Sequence, residues 1–148
     1  MILQLKRLFD NIGESEDISF SITQDELEQY SLSIITASPI RVSGRIYNRA
    51  GVVMLDYNLS AELEQVCDRC LKDFVREYSF DISYVCVSGE TDNDEYLVCT
   101  DFKLDLTDAA ITDLLLRLPT KILCREDCRG LCPVCGADLN LGDCGCGG

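Results

Sequence analysis

Three stretches in the middle of the chain alternate between apolar and polar residues, a pattern typical of half-buried β-strands. The first, PIRVSGRIYNRAG, ends in the turn Asn48–Gly51, where Gly51 can adopt a positive φ. The second, VVMLDYNLSAELEQV, and the third, DFVREYSFDISYVCV, continue the alternation. The pattern predicts a three-stranded antiparallel meander from Ile40 to Val87 with one apolar face.

The turns also predict the register of this meander. We expect Asn48 to pair with Gly51 across the first turn and Leu63 to pair with Phe74 across the second. Both pairings place apolar side chains opposite apolar side chains, as a sheet with one buried face requires.

Weaker patterns on either side predict short strands and two helices. Apolar residues at 2, 3 and 5, at 18, 20 and 22, and at 97–98 indicate strands. Thr23 and Glu26 form a capping box for a short helix. A second helix begins at Thr107 and ends before Pro119. Its predicted buried stripe consists of Ala110, Ile111, Leu114, Leu115 and Leu118.

These elements predict an α+β fold: an antiparallel β-meander, or small barrel-like sheet, with few helices. At 148 residues the chain can bury a core of its own. We expect an antiparallel β-rich α+β domain over 1–120, and a cysteine-rich, zinc-ribbon-like tail over 121–148 packed on it.

Composition narrows the chemistry of the ten cysteines. The sequence has no apolar run long enough for a membrane helix, and MILQLKRLFDN lacks the apolar core of a signal peptide. We therefore expect a cytoplasmic protein with no membrane partner. Disulfides are rare in that compartment, so the cysteines point to metal or redox chemistry.

The first cysteine pair, Cys67 and Cys70, falls on the turn between the second and third predicted strands. A redox CxxC gains its low thiol pKa from the N-terminus of a helix, whereas this pair links strand to strand. The position favours a zinc knuckle, in which two thiolates point towards one metal, over a redox pair or a turn with two free thiols.

The C-terminal tail carries a second motif, CPVCG, in which Pro133 and Gly136 set the turn. With no histidine in the chain, an all-sulfur Cys₄ site is the expected arrangement. Locality predicts two zinc sites: Cys132, Cys135, Cys144 and Cys146 form one, and Cys67, Cys70, Cys124 and Cys128 form the other. Two alternatives stay open: a tail site that uses Cys124 or Cys128, and an iron–sulfur cluster.

Catalysis is not expected from this sequence. A closed Cys₄ site has no open coordination position at which to activate water. The sequence has no nucleophile motif and no Gly-rich phosphate loop, so we expect neither an enzyme nor a small-molecule substrate. Cys86 and Cys99 lie in apolar surroundings and are interpreted as core thiols.

Charge sets the class of partner. The net charge of −13 disfavours a generic phosphate-binding surface and favours basic partners, although a local basic patch is compatible with it. Two basic groups are candidates for a partner or RNA contact: Arg41, Arg45 and Arg49 on the first meander strand, and Arg69, Lys72, Lys121, Arg125 and Arg129 around the cysteines. Interleaved carboxylates, such as Asp56 and Glu126, can instead neutralise both groups.

The pattern CDRCL after an alternating strand, followed by CREDCRGLCPVCGADLN and CGC, resembles the YceD family of large ribosomal RNA subunit accumulation proteins. The resemblance runs from about Ile40 to Cys146. It implies a non-enzymatic ribosome biogenesis factor that supports accumulation or processing of large-subunit (23S) rRNA, with a ribosomal protein or pre-ribosomal RNA as partner. The alternative is a zinc-binding adaptor or regulatory protein unrelated to ribosomes.

Overall fold

A computed structural model describes residues 1–30, 32–93, 95–142 and 144–145. Its strands and α-helices, in chain order, are β1 (Ile2–Gln4), α1 (Lys6–Asp10), β2 (Ser15–Ile22), α2 (Gln24–Gln29), β3 (Ile35–Thr36), β4 (Ile40–Arg49), β5 (Val52–Val66), β6 (Asp73–Val87), β7 (Tyr96–Val98), β8 (Lys103–Asp105) and α3 (Leu106–Arg117). Single 3₁₀ turns occupy Thr100–Phe102 and Leu139–Leu141.

Most strands belong to one sheet in the order β2-β4-β5-β6-β7, with β3 pairing beside β4 on the edge of β5. Its pairs are antiparallel except β6 with β7, and the sheet curls into a half-barrel. β1 and β8 form a separate antiparallel pair. The predicted α+β class, with a barrel-like antiparallel sheet and few helices, is confirmed.

The meander is formed by β4, β5 and β6, but both predicted registers are wrong by two residues. At the first turn Arg49 pairs with Val52, so Ala50 and Gly51 alone form the loop. Both have positive φ, 54° and 90°, which suits the twist of a two-residue hairpin. Asn48 is buried, and its side-chain amide is satisfied by donating to the Leu8 carbonyl at 2.7 Å.

The second turn is tighter than expected, since Val66 pairs with Asp73 and Leu63 with Arg76. Residues 67–72 alone connect the strands. A shift of two residues keeps every side chain on its predicted face, so the buried face of β5 from Val53 to Leu63 is as expected.

The core lies on one face of the sheet and includes side chains from all three α-helices. The predicted capping box of α2 is confirmed, because Glu26 accepts from the Thr23 amide and Thr23 accepts from the Glu26 amide. In α3 the predicted stripe is wrong at Leu115, which is 43% exposed, and buried Asp113 lies on the core side instead. No helix among the described residues is long and apolar enough to cross a membrane.

Candidate metal centre

The tip of the β5–β6 hairpin holds the first cysteine pair. The Cys67 amide donates to the Lys72 carbonyl at 2.9 Å, and the Leu71 amide donates to the Cys67 carbonyl at 3.0 Å. Leu71 has φ of 60°, a left-handed conformation that closes the turn between the pair and β6. Both Cys67 and Cys70 are buried.

The tail returns to this tip and docks on it through hydrogen bonds. Asp68 and Ile122 exchange two bonds, from the Asp68 amide to the Ile122 carbonyl and from the Ile122 amide to the Asp68 carboxylate, each 2.7 Å long. Arg69 donates to the Cys128 carbonyl at 2.8 Å, and Arg76 donates to the Cys124 carbonyl at 3.1 Å. These bonds bring the second pair of cysteines to the first.

The four sulfurs of Cys67, Cys70, Cys124 and Cys128 all lie within 4.8 Å of one another. The Cys67–Cys128 and Cys70–Cys124 sulfur distances are both 3.6 Å. Tetrahedral Zn²⁺ with Zn–S bonds of about 2.3 Å requires sulfur separations of about 3.8 Å. The cluster therefore fits one tetrahedral metal ion. These are the four cysteines that the sequence analysis assigned to one zinc site. Metal binding by them stays a prediction.

Hydrogen bonds around this cluster favour thiolate at two of its members. Burial raises the pKa of Cys67, but amides of Cys70, Cys124 and Arg69 donate to its sulfur and together lower the pKa to about 6. The Asn140 side chain lowers the pKa of Cys128 by donating to its sulfur at 3.3 Å.

The pKa of Cys124 moves the other way. Burial, together with the thiols of Cys70 and Cys67, raises the pKa of Cys124 to about 12. A bound divalent cation would favour thiolate at all four positions.

A second group, Cys132, Cys135 and Cys144, also has its sulfurs within 4.8 Å of one another. Amides of Cys135 and Val134, with the Cys144 thiol, lower the pKa of Cys132 to about 6. Gly136, at φ of 75°, donates its amide to the Cys132 carbonyl at 2.9 Å and closes the knuckle. The predicted fourth ligand, Cys146, lies outside the described residues.

The other two thiols, Cys86 and Cys99, are buried in the main core. They are 3% and 0% exposed and belong to neither cluster.

The two predicted basic groups occupy different parts of the molecule. The first group consists of residues that each lie within three positions in the sequence of a cysteine of the first cluster: Arg69, Lys72, Lys121, Arg125 and Arg129. Arg41, Arg45 and Arg49 are exposed along β4. Arg41 pairs with Ser60 of β5, which lies seven residues before Cys67. At the rise of a β-strand, seven residues span about 23 Å. The groups therefore do not form one continuous patch.

Neutralisation of these groups is partial. Arg125 forms an ion pair with Asp127 at 3.2 Å. Asp56 lies opposite Arg45 but accepts from the Tyr47 hydroxyl at 2.8 Å, while the Arg45 guanidinium stacks on the Tyr47 ring. In the described part of the chain, no ion pair involves the three β4 arginines.

Two residues of the centre have a role that the sequence did not predict, although the motif that resembles the family includes Asn140. Arg76 stacks on Phe74 and holds the Cys124 carbonyl, and Asn140 links three groups around Cys128. Their sequence signal is weak: Arg76 is one polar residue in a strand, and Asn140 follows the cysteine knuckle in GADLN.

The fold and this centre define a class: β-rich α+β proteins in which a hairpin tip and a C-terminal tail bring cysteine thiols together into clusters that could hold metal ions. A family model for the large ribosomal RNA subunit accumulation protein YceD matches residues 55–148, well over half of the chain. The chain therefore belongs to the YceD family, as the cysteine motifs indicated.

The chain is also similar to individual proteins over most of its length. The chain is 26% identical over 132 residues to the uncharacterized protein YlbN of Bacillus subtilis (strain 168), covering 86% of this chain and 77% of YlbN. It is 25% identical over 131 residues to the uncharacterized protein ML1660 of Mycobacterium leprae (strain TN), covering 82% of this chain but 60% of that protein's length. No solved structure shows a significant match to the chain.

Proposed function

We propose that this chain is a non-enzymatic ribosome biogenesis factor that supports accumulation or processing of large-subunit (23S) rRNA by binding a ribosomal protein or pre-ribosomal RNA. The observation that carries the proposal is the family match over residues 55–148, a range that contains both cysteine clusters and the hairpin that presents them.

The cysteines have a structural role in this proposal. Zn²⁺ would be held by Cys67, Cys70, Cys124 and Cys128 at the first site, and by Cys132, Cys135 and Cys144 with Cys146 at the second. When bound, it would cross-link the tail to the hairpin tip and supply no open coordination position. Arg69 and Arg76, which donate to ligand backbone carbonyls, would orient the first site.

The chain itself provides the surface that a partner would meet. Five basic residues lie within three positions of a cysteine of the first cluster, whereas the chain as a whole carries a net charge of −13. A local basic patch on an acidic body suits a ribosomal particle, in which RNA phosphates and basic proteins lie side by side.

Depletion in growing cells tests this function. We expect the ratio of large-subunit to small-subunit rRNA to fall on depletion and to recover on re-expression of the wild-type chain. A normal ratio would reject the proposal and favour the alternative, a zinc-binding adaptor unrelated to ribosomes, for which the four-sulfur cluster alone provides the motivation.

A thiol oxidoreductase is tested separately, by metal analysis and redox titration of Cys67 and Cys70. Stoichiometric zinc without a reversible disulfide would exclude it.

A further inference from the structure

A groove of about 460 Å³ crosses the outer face of the β5–β6 hairpin just before the cysteine tip. It is lined by Ile35, Glu64, Gln65, Val66, Asp73, Phe74 and Val75. Outward side chains in the middle of the same strands are polar, for example Asn58, Ser79 and Asp81. The outward face of the hairpin is therefore polar in the middle of the strands and carries apolar side chains at the groove.

Three aliphatic side chains of the groove are open to solvent. Ile35 is 51% exposed, Val66 50% and Val75 56%. They line the same groove: Ile35 and Val75 lie on either side of Glu64, and Val66 is the next outward residue of β5. Exposed apolar side chains grouped in a concave surface favour a protein contact.

Carboxylates surround this apolar patch. Glu64 and Asp73 line the groove. At the next outward pair of positions along the hairpin, Glu62 of β5 lies directly opposite Glu77 of β6. Facing like charges destabilise a sheet, so a cation supplied by a partner would relieve the repulsion. Within the described residues none of these four carboxylates forms an ion pair, although Arg41 lines a cleft with Glu62 and Glu77.

One edge of β5 is also open beside the groove. β3 pairs only with Leu63 and Glu64, so Gln65 and Val66 have strand partners in β6 alone among the described residues. An unpaired strand edge next to a groove is suited to an added extended segment, whose alternate side chains enter the groove.

We propose that this groove binds an extended segment of a basic protein, with an aliphatic side chain on Val66 and Val75 and lysine or arginine side chains on the surrounding carboxylates. The inference rests on the proposed function and specifies it, since it assigns the protein partner to the acidic outer face of the hairpin. RNA is disfavoured here, because the carboxylates repel phosphates.

The binding test uses the zinc-loaded full chain and a fluorescent 12-residue peptide of alternating lysine and valine. We expect saturable binding that weakens with added salt. A peptide with glutamate in place of lysine, and a 12-nucleotide single-stranded RNA, should not bind. Failure of the wild-type chain to bind the lysine–valine peptide would overturn the inference.

Paired variants locate the contact. E64K/D73K and V66S/V75S should each raise the Kd about tenfold. Two control variants carry matched changes elsewhere. E28K/E90K has the same charge change at other exposed positions, and L116S removes another exposed aliphatic side chain; the Kd of each should stay within about twofold of the wild-type value.

An equal loss of peptide binding in the groove variants and the controls would contradict the assignment, as would RNA binding that the groove variants abolish. Circular dichroism and zinc content verify folding.

Complementation separates this inference from the proposed function. If removal of the chain lowers the rRNA ratio and E64K/D73K restores it fully, the groove is not the partner surface and the inference fails while the function stands. If removal leaves the ratio normal, the proposed function fails, and the peptide measurements decide the groove independently.

Discussion

Asn140 links the tail to the first cysteine cluster with one side chain. Its amide nitrogen donates to the Cys128 sulfur at 3.3 Å, and its oxygen accepts from the Arg125 side chain at 2.8 Å and the Arg129 amide at 2.9 Å. Such contacts orient a ligand and stabilise its charged form without touching the metal.

Replacing Asn140 with alanine should lower zinc affinity at the first site about tenfold, because the Cys128 thiolate loses a donor and the tail loses two bonds. Competition against a chromogenic chelator measures the change. Leu141→Ala is the matched control, since Leu141 is the exposed next residue. Equal affinity in Asn140→Ala and wild type would show that this contact does not tune the site.

The cysteines that form the clusters could be predicted from the sequence, but the side chains that hydrogen-bond to them could not. Cysteine spacing reflects the geometry around one metal and is visible along the chain. Asn140 and Arg76 acquire their roles only when the tail folds onto the hairpin, and neither contact leaves a periodic signal.

At the scale of elements, α3 is fixed to the sheet by a buried carboxylate. Asp113 accepts hydrogen bonds from the hydroxyls of Tyr57 on β5 and Tyr84 on β6, and from Arg117 at 3.2 Å. Burial, together with these bonds to Asp113, raises the pKa of both tyrosines. The network therefore fixes the position of α3 on the sheet through a polar residue on the core side of the helix.

This network predicts a loss of stability at alkaline pH. The unfolded chain releases the Tyr57 proton near pH 10, whereas the folded chain retains it because the pKa is raised. The free energy of unfolding should therefore fall above about pH 10, by up to about 1.4 kcal/mol per pH unit for each such tyrosine. Urea unfolding between pH 8 and 11 measures the slope.

Tyr57→Phe should make that slope shallower and lower the stability at pH 8 by about 1 kcal/mol, the value of one hydrogen bond. Tyr96→Phe, at a partly exposed position on β7, should leave the slope unchanged. An unchanged slope in Tyr57→Phe would show that this phenol does not couple folding to pH.

Element positions could be predicted from the sequence, whereas registers could not. Alternation has a period of two, so it does not distinguish a pairing from one shifted by two residues. The true register depends on the two-residue turn after Arg49 and the six-residue tip before Asp73, both closed by backbone bonds that the apolar pattern does not encode.

On the scale of the whole molecule, the folding of the tail depends on the cysteine clusters much more than the folding of the sheet does. The main core contains the sheet and helices, whereas a small separate cluster contains Cys67, Cys70 and Cys128 with four partly buried neighbours. Fold class was predictable from local alternation. The return of the tail to the hairpin, over 54 residues from Cys70 to Cys124, depends on long-range contacts.

Chelation should therefore unfold the tail alone. In hydrogen exchange, amides of residues 122–142 should lose protection after zinc removal, while those of β4, β5 and β6 keep it, because binding free energy is folding free energy in such segments. Restored zinc serves as the control and should return the protection. Loss of protection in both regions would mean that the tail and sheet fold as one unit.

Metal binding by the two cysteine clusters is tested most directly by a crystal structure with anomalous scattering recorded at the zinc edge. We predict two peaks per chain, one among Cys67, Cys70, Cys124 and Cys128 and one beside Cys132, Cys135 and Cys144. A single peak would contradict the two-site partition. The absence of zinc at the hairpin tip, with those four cysteines paired as disulfides, would contradict the claim that metal holds the tail in place.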